Sequence, residues 1–128
     1  WISRCLMDAL DYWDEALLWV ALTGVWASSE NTHLYYRLRQ SYGDHRHLDQ
    51  TPGHLALRHE GEDVKSFLHL ALLFGWDAFL FTDHDYARVF VCHDEYAEIA
   101  VPDGRSTEAI RGILESGGLR IEQDKSAV

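Results

Sequence analysis

Histidine is the residue type with the most evident chemical potential in this sequence, since eight histidines occur in 128 residues. His45 and His47 lie two positions apart in a polar stretch, and His54 and His59 follow downstream. Imidazole nitrogens bind zinc and other divalent metals, so these four residues are the candidate ligands of a metal-dependent enzyme or sensor. Their spacing matches none of the longer signatures such as His-Glu-x-x-His. The pattern therefore favours a solvated loop, and no metal or other cofactor is predicted.

Other reactive side chains lie in short polar segments further along the chain. His84 stands between Asp83 and Asp85, whose charges favour its protonated form. The segment 93–95, His-Asp-Glu, has the composition of an acid–base group, but adjacent residues of a tight turn point in different directions. Cys92 is expected to be a small buried hydrophobe. Because there is also no glycine-rich phosphate loop, nucleophile elbow or Cys-x-x-Cys pair, the sequence leans away from an enzyme.

Negative charge is concentrated in the second half of the chain. From Glu60 to Asp103, ten acidic residues stand against two basic ones, Lys65 and Arg88, a surplus of eight within a total net charge of -10. Carboxylates on turns, supported by aromatic rings, would attract a basic partner and hold it through the aromatic side chains. The residues expected to bind that partner are Trp76, Asp83, Asp85, Tyr86, Asp94, Glu95, Tyr96 and Glu98.

These features predict a non-enzymatic, acidic protein-binding domain that neutralises a basic partner such as a nuclease toxin, in the manner of an inhibitor or a bacterial immunity protein. The competing explanation is that the charge only keeps a small, apolar-rich protein soluble. Two alternatives stay open. One is the metal-dependent enzyme or sensor built on the four histidines. The other is an interaction domain of a larger protein, which is suggested by a chain that begins with Trp1 rather than Met.

Composition excludes several other classes. A net charge of -10 and a pI near 5.1 argue against direct binding to nucleic acid, which requires clustered Lys and Arg. The apolar stretch 16–27 is too short to cross a bilayer, so no membrane association is predicted. With only Cys5 and Cys92, a disulfide framework is excluded and a reducing, cytoplasmic setting is favoured, although a single bridge between the two stays open. The oligomeric state is not predicted.

The elements that must position these side chains are organised around the segment 64–101. Its continuous apolar run, 64–74, predicts a buried helix that ends at Gly75 in the left-handed conformation. Strands are predicted at 78–82, 88–92 and 96–101, separated by the two acidic turns. Consecutive turns of such a meander lie at opposite ends of the sheet, so the two acidic turns are not assumed to form one site.

The remaining elements are predicted from helical spacing, caps and turn residues. They are a first helix over 2–20, a second helix from Ser28 or Ser29 to Gly43, a short edge strand at 55–57, a helix from Ser106 or Thr107 to Gly117, a final strand at 119–122 and a frayed tail at 124–128. The expected fold is a single α+β domain over 1–128. In it, N-terminal helices and a central buried helix pack on a three- to four-stranded, mainly antiparallel sheet, with a short C-terminal helix.

Overall fold

Four helices and five strands are present in the computed structural model, which describes residues 1–10, 12–23, 32–47, 50–51, 53–83, 87–101 and 107–122. In chain order they are α1 (Ile2–Leu10), β1 (Glu15–Leu22), α2 (Thr32–Ser41), β2 (Gly53–Leu57), α3 (Gly61–Phe74), β3 (Asp77–Thr82), β4 (Arg88–Val91), β5 (Ala97–Ala100) and α4 (Thr107–Ser116). A 3₁₀ turn, Arg58–Glu60, precedes α3. The fold is α+β, as the sequence predicts.

The five strands form one sheet in the order β2-β1-β3-β4-β5, and every neighbouring pair is antiparallel. One face of the sheet packs against the helices. In β3, Ala78, Leu80 and Thr82 are buried on that face, whereas Phe79 and Phe81 alternate with them and point away. The core consequently lies between the sheet and a single layer of helices.

The central helix α3 contains the predicted apolar run 64–74 and ends before Gly75, as predicted. Val64, Phe67 and Leu68 of α3 are buried in the core. Gly75 ends α3 with a φ of 62°, and the backbone N–H groups of both Gly75 and Trp76 bond to the carbonyl of Ala71. A residue with a Cβ would be strained in this left-handed conformation, which explains why glycine stands there.

The prediction of one helix over 2–20 is wrong, because α1 ends at Leu10 and the chain continues as strand β1. Burial along β1 alternates, with Ala16, Leu18 and Val20 facing the helices. A short apolar run is compatible with either a buried helix or a strand. This segment is a strand because it pairs with β2 on one side and with β3 on the other. This added strand raises the sheet from the predicted three or four strands to five.

The final strand predicted at 119–122 is also wrong, since residues 119–122 are neither helical nor part of the sheet. Leu119 instead donates its backbone N–H to the carbonyl of Leu114, and Gly118 has a φ of 82°, which together complete a glycine cap of α4. The predicted frayed tail, 124–128, lies outside the described residues, as do Ser28, Ser29 and Ser106.

Two further expectations concern the setting of the chain. Cys5 and Cys92 are both buried and both free, so no disulfide joins them. No described helix combines the length and the apolar composition needed to cross a membrane.

Candidate functional site

The face of the sheet that points away from the helices is lined by aromatic side chains. The ring of Phe79 lies 5.8 Å from that of Phe81 and 4.5 Å from that of Phe90, and Phe90 meets Tyr96 edge-on at 6.3 Å. Trp19 pairs with Phe79 across β1 and β3 and is 44% exposed. These five aromatic residues, which we call the aromatic row, run across β1, β3 and β4 to the residue before β5.

Aliphatic side chains extend this apolar surface to the edge strand β2. Leu55 and Leu57 are exposed there, and Leu17 of β1 lies between Leu55 and Phe81 in the register of the sheet. Leu55 is 58% exposed, whereas its neighbour Ala56, which faces the helices, is 1% exposed. We refer to the aromatic row together with these three leucines as the open face. Soluble domains rarely leave a contiguous apolar surface of this kind uncovered unless it binds something.

Carboxylates lie at both ends of the open face. At one end, Asp83 accepts a hydrogen bond from the backbone N–H of Asp14, 3.0 Å away, and donates its own N–H to the carbonyl of Glu15. At the other end lie Asp94 and Glu95, in the turn between β4 and β5. The two ends are separated by the length of β3, about 20 Å for six residues. Because charges are screened within about 8 Å at physiological salt, each end acts as a separate acidic patch.

The partner-binding residues predicted from the sequence do not all lie on this surface. Asp83, Asp94, Glu95, Tyr96 and Glu98 are exposed, and Glu98 sits beside Phe90 in the register of β4 and β5. Among the described residues, neither Glu95 nor Glu98 has an ion pair with Arg or Lys.

Trp76 does not fit the predicted role. Its side chain is 1% exposed and packs in the core against Tyr35 and Phe74, so it cannot anchor a partner on the surface. The aromatic side chains on the open face are instead mostly strand residues that alternate with the core. Asp85 and Tyr86 lie outside the described residues.

A second group of polar side chains converges where β3 begins and β4 ends. The Asp77 carboxylate accepts hydrogen bonds from both the backbone N–H of His93, at 2.8 Å, and its ring Nδ1, at 2.7 Å. The same Nδ1 lies 3.8 Å from Sγ of Cys92. Across the turn, the backbone N–H of Cys92 donates to the carbonyl of Tyr96 at 2.9 Å. We call Asp77, Cys92 and His93 the β3–β4 cluster.

The electrostatics of the β3–β4 cluster favour an ion pair. Burial raises the pKa of the Asp77 carboxyl, but the hydrogen bonds from His93 outweigh it and leave the pKa below its ordinary value. The hydrogen bond to Asp77 raises the pKa of His93 against the opposing effect of burial. The neighbouring Cys92 side chain raises the pKa of Tyr96 to about 12.

The histidines proposed as metal ligands are not brought together. His45 and His47 are exposed, with the ring of His47 stacked on Tyr36, and His59 is exposed in the 3₁₀ turn. His54 is buried between Tyr42 and Phe67. In the described part of the chain, only the β3–β4 cluster places three His, Cys, Asp or Glu donor atoms within 4.8 Å of one another.

A buried arginine lies near these histidines. Arg39 of α2 is fully buried and bonds to Asp44 at 2.8 Å, while its Nε and Nη1 atoms have no hydrogen-bond partner among the residues that the structure describes. The guanidinium groups of Arg46 and Arg39 both hold the pKa of Asp44 well below its usual range. The Arg39–Asp44 ion pair connects α2 to the loop that follows it. An open cavity beside this loop is lined by Asp44 and Arg46 but not by Arg39.

Comparisons of the chain with protein-family models, with curated proteins and with solved structures found no match. The fold and the geometry of the surface therefore define the class: a two-layer α+β domain with helices on one face of an antiparallel sheet and an exposed aromatic surface on the other.

Proposed function

We propose that this protein is a non-enzymatic binding domain whose open face docks on a basic protein partner, in the manner of an inhibitor or immunity protein that neutralises a nuclease toxin. The observation that carries the proposal is the continuous aromatic row between two acidic patches, in which Trp19, Phe81 and Tyr96 are exposed and Phe79 and Phe90 are half-buried. Aromatic side chains supply much of the binding energy at protein interfaces, and charged rims govern encounter and partner choice.

The size of the open face indicates how a partner would contact it. Five strands of four to eight residues, about 4.8 Å apart, cover roughly 20 by 20 Å, or about 400 Å². A stable interface covers about 800 Å² on each partner. The partner must therefore reach beyond the sheet onto the turns that carry Asp83 at one end and Asp94 and Glu95 at the other. Two basic patches about 20 Å apart, flanking an apolar centre, describe the complementary surface.

The setting of this interaction belongs to the same proposal. Free thiols at Cys5 and Cys92 suit a reducing compartment such as the cytoplasm. The net charge of -10 suits a basic protein as the partner and does not suit nucleic acid.

The proposal is tested by capturing partners from lysate of the source cells on the immobilised protein at low and high salt. Phe81→Thr removes an exposed ring from the centre of the open face, and Leu73→Gln removes a side chain that is 63% exposed on α3. We expect a basic protein to be retained by the wild type and by Leu73→Gln, weakened by salt, and bound at least about tenfold more weakly by Phe81→Thr.

A charge variant tests the acidic patches separately. The double variant Glu95→Gln, Glu98→Gln should slow association and make it less dependent on salt, whereas Glu115→Gln, at an exposed position of α4, should not. If Phe81→Thr captured the partner as well as the wild type does, or if Leu73→Gln weakened capture as much as Phe81→Thr does, the open face would not be the binding surface.

A further inference from the structure

The β3–β4 cluster combines three kinds of ligand atom that suit one class of metal ion. A thiolate, an imidazole nitrogen and a carboxylate oxygen form a borderline-soft donor set, which binds Zn²⁺ and Co²⁺ in preference to Mg²⁺ or Ca²⁺. The donor atoms of Asp77, Cys92 and His93 already lie within 4.8 Å of one another. We propose that these three residues form a binding site for a single zinc-type divalent cation.

The distances fit a tetrahedral ion after a small adjustment. With bonds of about 2.0 Å to nitrogen and oxygen and about 2.3 Å to sulfur, tetrahedral donors stand roughly 3.3 to 3.6 Å apart. The separation of 3.8 Å between Cys92 Sγ and His93 Nδ1 is close to this range. The separation of 2.7 Å between His93 Nδ1 and Asp77 Oδ1 is that of a hydrogen bond, so the carboxylate must withdraw by about half an ångström when the ion replaces the proton.

The direction of the imidazole argues for a metal site and against a catalytic relay. In a nucleophile–histidine–acid triad, one ring nitrogen faces the nucleophile and the other faces the acid. Here the single Nδ1 atom of His93 faces both Cys92 and Asp77, while Nε2 lies 3.6 Å from Asp94. Donors that converge on one point can share an ion. Nε2 is left next to the Asp94 carboxylate, which is the usual partner of a metal-bound histidine.

The backbone holds this arrangement in a strained turn. Cys92 donates its N–H to the carbonyl of Tyr96 at 2.9 Å, and Glu95 donates its own to the carbonyl of Cys92 at 3.1 Å. Glu95 has a φ of 66° and is the only non-glycine residue with positive φ among those that the structure describes. Such a conformation is costly for a residue with a Cβ and is found preferentially at functional sites. It fixes Cys92 and His93, which are adjacent in sequence, on the same side of the turn as Asp77.

Three protein ligands leave a fourth position open, and a water molecule is the ligand expected there. Coordination displaces two protons, one from the Cys92 thiol and one from Nδ1 of His93; both are released to solvent, so no oxidant or reductant takes part. The ion would join the start of β3 to the β4–β5 turn.

The test uses protein that has been stripped with a chelator under reducing conditions and then titrated with Co²⁺ and, in competition, with Zn²⁺. We expect one equivalent of Co²⁺ to bind with a sulfur-to-cobalt charge-transfer band. Cys92→Ser should abolish that band, and His93→Gln and Asp77→Asn should weaken binding by about 100-fold or more, beyond the roughly 10- to 100-fold that supporting partners contribute.

Matched controls distinguish this site from others in the chain. Cys5→Ser changes the second cysteine, which is buried to the same 8% exposure as Cys92, and should leave the band unchanged. The double variant His45→Gln, His47→Gln tests the polar loop and should also leave it unchanged. A band that survives Cys92→Ser, or that is lost in Cys5→Ser or in the loop variant, would overturn the proposal.

A measurement on the unaltered protein covers the case in which a variant fails to fold. Zn²⁺ should slow the alkylation of Cys92 at least about tenfold, because a metal-bound thiolate is no longer free to react, while the alkylation of Cys5 is unchanged. Equal alkylation of Cys92 with and without Zn²⁺ would overturn the proposal.

Discussion

The two faces of the sheet make opposite predictions for two residues that are adjacent in sequence. Leu80 lies in β3 between Leu18 of β1 and Val89 of β4 and is 0% exposed, facing the helices. Phe81 is 39% exposed on the open face. Shortening Leu80 should therefore damage stability, whereas shortening Phe81 should damage binding.

The magnitudes follow from burial. Leu80→Ala removes a fully buried side chain from the central strand and leaves a cavity, which costs about 3 to 5 kcal/mol of the free energy of unfolding. Phe81→Thr keeps a β-branched residue in the strand and loses only the partial burial of one ring, which costs about 1 to 1.5 kcal/mol. Leu73→Gln, on the exposed side of α3, should change the free energy by less than about 0.5 kcal/mol.

The assay is urea unfolding followed by tryptophan fluorescence and by far-UV circular dichroism, with the slope of the transition compared between variants. A loss of 3 to 5 kcal/mol is a large part of the roughly 5 to 15 kcal/mol expected for a domain of this kind. If Phe81→Thr cost as much as Leu80→Ala, the open face would be covered in the folded protein. If Leu80→Ala cost less than about 1 kcal/mol, the strand would face the other way.

Two more predictions concern the polar residues beside the core. Burial lowers the pKa of His54, so the unfolded chain binds a proton at a higher pH than the folded chain does. The contribution of His54 to the free energy of unfolding should therefore be constant above about pH 6.5 and decrease as the pH falls below it. The free energy of unfolding, measured with a denaturant, should be lower at pH 5.5 than at pH 7.5. His54→Gln should reduce this difference between the two pH values, whereas His59→Gln, at an exposed position, should not. An unchanged difference in His54→Gln would contradict the role of His54. Asp44→Asn leaves the buried Arg39 guanidinium without a carboxylate partner and should lower the melting temperature. Arg39→Met removes the buried charge itself and should lower it less, with a free energy of unfolding within about 1 kcal/mol of the wild type. Equal losses from the two changes would contradict the buried ion pair.

Local sequence signals were sufficient for the elements that carry their own boundaries. The continuous apolar run of α3 with Gly75 at its end, and the three β strands separated by acidic turns, fold where the sequence places them. Strand β1 was missed because its apolar residues carry no period that separates a strand from a buried helix over so few positions. Its identity depends on β2 and β3, which are distant in sequence.

The candidate surfaces were harder to predict for a related reason. Phe79 and Phe81 look like core residues in the sequence, but the helices cover only one face, so Phe79 is half-buried and Phe81 is exposed. Asp77 and His93 are 16 positions apart and meet through the antiparallel pairing of β3 with β4. The predicted hairpin could have indicated this cluster. Pairing of Ala78 with Val91 places Asp77, at the start of β3, beside Cys92 and His93, which follow β4. Residue composition drew attention to the four other histidines, which the fold keeps apart.

If the open face is the binding surface, a bound partner must cover its side chains. Hydroxyl-radical footprinting of the protein, alone and with its captured partner, measures the accessibility of individual side chains in solution. Trp19, Phe81 and Tyr96 should lose reactivity in the complex, while Leu73 on α3 keeps it. Protection of Leu73 with unchanged reactivity of Trp19, Phe81 and Tyr96 would contradict this prediction.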